Sequence, residues 1–334
     1  MAGLLENFIR TYDFEKLNTI TKYPNILPLH QVNDAGAATN TLSTAEYQPV
    51  PIQTNKMEVE VSELIDGELS RIIILGDDFL IGDKKEIVHA KGDRIITNDI
   101  VMPTYNGLNN FIREYRPSEE RFLILYGIVY GASLNGSNRY TNIGKSSYAL
   151  IEGFTAKVED MQTLCTTNSI EELQVWNNTL QAPFWTISTK NKFANAFNLA
   201  IAPKLTTLTL DKVPINPNKM LDWLWEFTDS KIVLDTEEEQ EQFYSSQDAS
   251  KANNEPPIDP LPNPKSLKNA KGEDDFLSSL QNDRNKEEPP TKAKNKFKSR
   301  KSNLGKSKGV VIKNNDRSYI RQIRFEDYIK MKKK

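Results

Sequence analysis

Apolar and polar positions recur along residues 1–235 with periods that specify elements. Gly3 to Arg10 predicts a short opening helix. From Met57 to Ser62 the chain alternates, with Met57, Val59 and Val61 on one face and Glu58, Glu60 and Ser62 on the other, the pattern of a half-buried strand. Arg71–Leu75, the Gly76-Asp77-Asp78 turn and Phe79–Ile81 read as strand, turn, strand. Phe122–Tyr130 is almost continuously apolar, which predicts a central strand buried on both faces. Leu108–Tyr115 and Asn191–Ile201 carry helical patterns. Around Asn218–Phe227, Met220, Leu221, Leu224 and Phe227 share one helical face, with Asn216 or Asn218 placed to cap it.

The periodicity stops near Thr236. Glu237–Gln242 is acidic and amide-rich, Glu255–Pro264 is dense in proline, and only Asp274–Leu280 has the pattern of a transient helix. So little apolar surface cannot offset the entropy of ordering, so disorder is expected over 236–306. Pattern returns with a strand at Gly309–Ile312, a turn at Asn314–Asp316 and a strand at Tyr319–Phe325. A lone hairpin is marginal in water, and closing a long loop adds only a logarithmic entropy cost. The hairpin is therefore expected to complete a sheet begun in the first segment. That predicts one domain made of 1–235 and 307–334, the latter ending in a lysine tail, interrupted by the 236–306 insertion.

Several segments then carry candidate chemistry in a particular order. They are Tyr23-Pro24-Asn25-Ile26, Ser62-Glu63-Leu64-Ile65-Asp66-Gly67, Tyr126-Gly127-Ile128-Val129-Tyr130-Gly131, Lys308-Gly309-Val310-Val311-Ile312-Lys313, and Ile320 through Tyr328. Together they resemble the phage-type RNA ligases that seal nicked duplex RNA, within the covalent nucleotidyltransferase superfamily. The resemblance implies an α+β fold, the nucleotidyltransferase (ATP-grasp-like RNA/DNA ligase adenylation) fold of antiparallel sheets with flanking helices. In that family a Lys-x-Asp/His-Gly loop carries AMP, and Tyr/Phe-Gly-Glu, Glu-Gly-hydrophobic-hydrophobic-Lys/Arg and Lys-x-Lys/Arg segments follow. It implies nucleotide contacts at Asp66, Gly67, Lys313 and Arg324, and an adenine-stacking strand at Tyr148–Val158 that begins with Tyr148.

The likeness fails at the charged positions. Leu64 stands where the nucleophilic lysine belongs, Ile128 and Lys308 replace glutamates, and Gln322 replaces a lysine. A neutral lysine amine must attack the α-phosphate of ATP, and leucine has no lone pair. Lys56 lies eight residues upstream of Leu64, roughly 26 Å along an extended chain, which is out of reach. Lys84 and Lys85 are the candidates for a displaced amine. Asp66, Gly67, Gly127, Gly131 and Gly309, which shape the backbone, are all kept. No catalytic residue is therefore assigned, and no cofactor is expected; ATP and Mg²⁺ enter only if a displaced lysine acts.

Charge changes the picture in one place. The net charge of −2 conceals a basic block beginning at Lys292. Within it Lys292, Lys294, Lys296, Lys298, Arg300 and Lys301 are candidate nucleic-acid contacts, with Phe297 the lone aromatic, so any hold on RNA or DNA would be electrostatic. One cysteine, Cys165, and two histidines, His30 and His89, argue against a disulfide framework and a Cys- or His-based metal site. The opening residues lack a secretory pattern and no run reaches membrane-spanning length, so a cytoplasmic or otherwise intracellular protein without membrane contact is expected. The leading functional expectation is an inactive ligase-like module that binds nucleic acid or scaffolds. The alternatives are an active ATP-dependent RNA ligase or adenylyltransferase with a displaced or misaligned lysine, and a subunit that captures a protein partner through 236–306.

Overall fold

The computed structural model describes residues 3–44, 56–85, 87–88, 99–114, 118–131, 134, 139–140, 146–178, 183–232 and 306–332. The chain divides into two units, 1–234 with 304–334, and 235–303; every described residue belongs to the first. Of the expected 236–306 insertion, residues 236–305, with Lys292, Lys294, Lys296, Lys298, Arg300 and Lys301, lie outside the described residues, whereas Lys306 is described and bridges Asp229.

The described unit is α+β, and all its named strand pairs are antiparallel. A short hairpin joins β1 (His30–Val32) and β2 (Ala38–Leu42). One sheet contains β3 (Glu58–Glu63), β9 (Lys204–Thr209), β10 (Gly309–Lys313) and β11 (Ile320–Arg324), in the order β11-β10-β3-β9. The other contains β4 (Glu68–Leu75), β5 (Asp78–Gly82), β6 (Ile87–Val88), β7 (Arg121–Tyr130) and β8 (Ser147–Lys157), in the order β6-β5-β4-β7-β8. The C-terminal hairpin joins the first sheet through β3, with Val310 opposite Glu63 and Lys313 opposite Glu60.

Strand β7 explains the long apolar run. Its Phe122, Ile124 and Tyr126 face a core built with α1 (Leu4–Tyr12), α2 (Phe14–Ile20), α5 (Val158–Thr167) and α6 (Ile170–Asn178). Its Leu123, Leu125 and Val129 face a second core with α3 (Val101–Gly107), α4 (Asn109–Glu114) and α7 (Ile187–Ala196). Burying each such side chain contributes about 1.5–3 kcal/mol. In the other sheet Val59, Val61, Val310, Ile312 and Ile323 pack under α8 (Pro217–Leu224) and α9 (Phe325–Lys332).

Several boundaries differ from those the periodicity predicts. The pattern at 108–115 corresponds to α4 over Asn109–Glu114, with Leu108 capping the preceding α3 and Tyr115 outside the described residues. Helix α7 begins earlier than expected and stops before Asn198, which takes the left-handed conformation at φ 49°. Asn216 is the residue that caps α8, with Pro217 in its first turn, and the helix tightens to a 3₁₀ turn at Trp225–Phe227. The expected lysine tail is helical through Lys332, because Phe325 and Tyr328 are buried one turn apart. Tyr328 also bonds its hydroxyl to His30 Nδ1 at 2.8 Å, while Nε2 meets the Ile215 carbonyl at 2.9 Å. His30 is thus a structural tie.

Gly309 opens β10 at φ 155°, and a Cβ there would lie 2.0 Å from the Ile323 carbonyl oxygen. The obstacle is the backbone of β11, so no rotamer change relieves it. Gly309→Ala is expected to lower stability by at least about 3 kcal/mol in chemical denaturation, combining overpacking with backbone strain.

Candidate functional site

A cavity of about 310 Å³ opens between the two sheets, a size in the range of small-ligand pockets. The alternation of β3 sends Val59 and Val61 into the core and leaves Glu60, Ser62 and, just past the strand, Leu64 facing the cavity. Lys308, Val311 and Lys313 border it from the β10 segment, Gln322 from β11 and Ile128 from β7. On β8 the register shifts, so that Tyr126 faces Glu152 while Gly127 faces Leu150. That bulge turns both Ile151 and Glu152 toward the cavity. Lys190 enters from α7.

The cavity wall combines two kinds of chemistry. Near Leu64, the lining residues Ile65, Ile128, Ile151 and Ala202 belong to one small apolar cluster. The adjoining loop keeps its shape: a Cβ on Gly67 would lie 2.2 Å from the Val129 carbonyl oxygen. The Asp66 carboxylate accepts from Lys308 Nζ at 2.7 Å and Arg139 Nε at 3.1 Å, and its backbone N–H donates to the Tyr140 hydroxyl at 3.1 Å. Arg139 also donates to the carbonyls of Lys306 and Ser307, each at 3.1 Å. Lys308 and Arg139 are therefore the counter-charges of Asp66. Glu63, fully buried beside them, accepts from Ser230 Oγ at 2.6 Å and from the Lys231 and Ile232 N–H groups at 2.9 and 3.4 Å.

A buried charge cluster also borders the cavity. Glu152 accepts from Lys313 Nζ at 2.9 Å, Arg317 Nε at 2.9 Å and the Tyr23 hydroxyl at 2.5 Å. Burial pushes the Glu152 carboxyl upward, but Arg317 and Lys313 outweigh it and hold the group down at about 2. Arg317 takes a left-handed backbone at φ 64° and lies over the Phe184 ring, 4.0 Å from its centroid. Lys190 is different. It is 4% exposed, and no hydrogen bond or ion pair of its amine occurs among the described residues. Desolvation, then the nearby Lys313, lowers its amine from 10.5 to about 8.

Of the residues singled out from sequence, Leu64, Gly67, Lys313 and Lys84 border the cavity, and Asp66 sits directly behind it. Tyr148 does not. Its ring packs in the core against Gly107 and Gly127, where a Cβ on Gly127 would meet it at 2.1 Å. The bulge at Ile151 breaks the alternation, so Tyr148 faces away from the cavity while Ile151 and Glu152 both occupy the cavity side. Arg324 also points elsewhere, pairing with Glu326 at 3.6 Å and Asp327 at 3.7 Å, and Lys85 is absent from the cavity wall. Sequence reasoning missed Lys190, Glu152 and Arg317. A signal for Lys190 existed: it shares the buried stripe of α7 with Ala194, four residues on. Among the described residues no group of three or more His, Cys, Asp or Glu is placed to hold a metal, and no helix is long and apolar enough to cross a membrane.

No protein-family model and no curated protein matches the chain. Among solved structures it is similar to forms of Naegleria gruberi RNA ligase. A lysine-to-alanine variant of that ligase with ATP and Mn is 13% identical, over 84% of this chain and 53% of that one, at a TM-score of 0.40. A glutamate-to-alanine variant with ATP and Mn is 13% identical over 95% and 63%, at 0.41. The form with PPi is 12% identical over 93% and 64%, at 0.41. The chain thus spans less than two thirds of the length of these ligase chains.

Two outcomes follow for stability. The depressed Lys190 amine means that the unfolded chain holds its proton more tightly, so the folded state bears a full penalty below about pH 8, relieved as pH rises toward 10.5. Lys190→Met is expected to stabilise the protein by roughly 3 kcal/mol near pH 7, and the advantage should shrink across that window in urea titrations. Glu152 has the opposite sign: its contribution is present above about 4.5 and fades as pH falls toward 2. Glu152→Gln strands two buried cations and is expected to cost roughly 3–5 kcal/mol at neutral pH by the same assay.

Proposed function

We propose that this chain is an RNA-ligase-like protein that holds a nucleotide in its cavity without attaching it, and serves as a nucleic-acid-binding or scaffolding module rather than a ligase. The observation that carries this reading is Leu64, whose side chain borders the cavity at the position where the resembled family needs a lysine. Covalent attachment requires a lone pair there, and leucine has none. The neighbouring changes agree: Ile128 adds apolar surface in place of a carboxylate, and Lys308 neutralises Asp66.

A nucleotide fits the residues present. The cavity is of small-ligand size, with apolar wall residues and a buried amine, Lys190, that makes no hydrogen bond among the described residues. The carboxylates of Glu63, Glu152 and Asp66 already accept from protein donors, while Glu60 and Glu68 also line the cavity. The basic residues from Lys292 to Lys301 would add an electrostatic, salt-sensitive hold on RNA or DNA.

The second reading is an active adenylyltransferase with a displaced lysine, favoured by Lys84 at the cavity wall. Incubation with α-labelled ATP and Mg²⁺ or Mn²⁺, followed by a denaturing gel, separates the two. The expected result is no label on the protein, together with saturable ATP binding in equilibrium dialysis. A labelled peptide containing Lys84 would establish the second reading instead.

A further inference from the structure

The lysines that border the cavity are Lys84, Lys190, Lys308 and Lys313, and their settings differ. Lys308 and Lys313 donate to the Asp66 and Glu152 carboxylates at 2.7 and 2.9 Å, so each nitrogen is committed to a partner. Lys84 is exposed to water. Lys190 is buried on α7 yet borders the cavity, and its amine makes no hydrogen bond or ion pair among the described residues. Three charged groups face it from separate elements: Glu60 of β3, Glu152 of β8 and Lys313 of β10. Burial, then Lys313, outweighs the two carboxylates and brings the amine down to about 8. An amine desolvated beside another cation is the setting in which lysine acts as a nucleophile near neutral pH. A methionine of similar length would fill the same space without burying a charge, so packing does not account for the amine.

We propose that Lys190 is a nucleophilic amine that forms an imine with a small aldehyde or ketone entering the cavity. The unprotonated Nζ adds its lone pair to the carbonyl carbon, and the C–O π pair moves to oxygen. The oxygen takes one N–H proton, then leaves with the second as a water molecule while the C=N bond closes. Nothing is oxidised or reduced. A proton from water converts the imine to an iminium, and Glu60 and Glu152 face the cation so formed. Leu64, Ile65, Ile128 and Ile151 give the body of an uncharged carbonyl compound an apolar surface, and the volume of about 310 Å³ suits a small one. This chemistry goes beyond nucleotide binding and does not require it.

Trapping the imine tests this. The full chain is incubated with limiting benzaldehyde and cyanoborohydride, which reduces the iminium far faster than the aldehyde, and the label is placed by peptide mapping in a mass spectrometer. At pH 7 roughly a tenth of Lys190 is neutral, against less than about one part in a thousand for an ordinary exposed lysine. The label on Lys190 should therefore exceed that on Lys84, which meets the same probe at the same cavity, by at least about tenfold. Its rate should level off above about pH 8, whereas labelling of exposed lysines keeps rising toward about 10.4. Lys190→Met and Lys190→Arg should both lose the dominant label, with thermal melts that report folded proteins. A wild-type label concentrated on Lys84 or spread over exposed lysines would overturn the proposal. An unchanged labelling pattern in Lys190→Met would do the same, as would a Lys190 rate that climbs past pH 8 in step with the exposed lysines.

Discussion

The pairing of β10 with β3 is the constraint on which the cavity depends. It sets Lys313 opposite Glu60 and Val310 opposite Glu63, and it carries Lys308 to the Asp66 loop. Each strand has one face in the core under α8 and α9 and the other toward the cavity. A slip of one residue would exchange the two faces, sending Glu60 and Lys313 into the apolar core and turning Val61 and Ile312 toward the cavity. The hydrophobic face thus fixes the register, and the register fixes which charges meet.

Charged groups in this interior are held by cations or hydrogen-bond donors close by. Asp66 is answered by Lys308 and Arg139, Glu63 by Ser230 and two backbone N–H groups, and Glu152 by two cations and a tyrosine. Buried pairs of this kind do little for net stability compared with apolar packing, but they penalise any arrangement that separates them. They also leave these carboxylates little spare capacity. Lys190 stands apart from this scheme: Glu60 and Glu152 face it, but no hydrogen bond or ion pair of its amine occurs among the described residues.

Much of the frame is legible in the order of residues alone. The strict alternation at Met57–Ser62 and the unbroken apolar run at Phe122–Tyr130 each have one physical solution, a half-buried strand and a central one. The loop at Asp66-Gly67 and the leucine before it can be read because backbone-shaping glycines leave a local signature. Tyr148 cannot be oriented from sequence, since the choice of face depends on the bulge at Ile151, which only the pairing with β7 reveals. Arg317 and Lys190 are hidden for a related reason. Their roles arise from what surrounds them in space, a carboxylate far along the chain for Arg317 and the lack of a bonded one for Lys190.

The join between β3 and β10 also has a temporal side. Roughly 250 residues separate the paired segments, and at ribosomal rates they take on the order of ten to fifty seconds to emerge. During that interval β9 can cover one edge of β3, but the other has no native partner. A bare strand edge invites pairing with another nascent chain. The glutamates at 58 and 60, spaced along β3, oppose that encounter by mutual repulsion. The same acidic face that later borders a cavity thus keeps the half-made sheet soluble while it waits for its last strands.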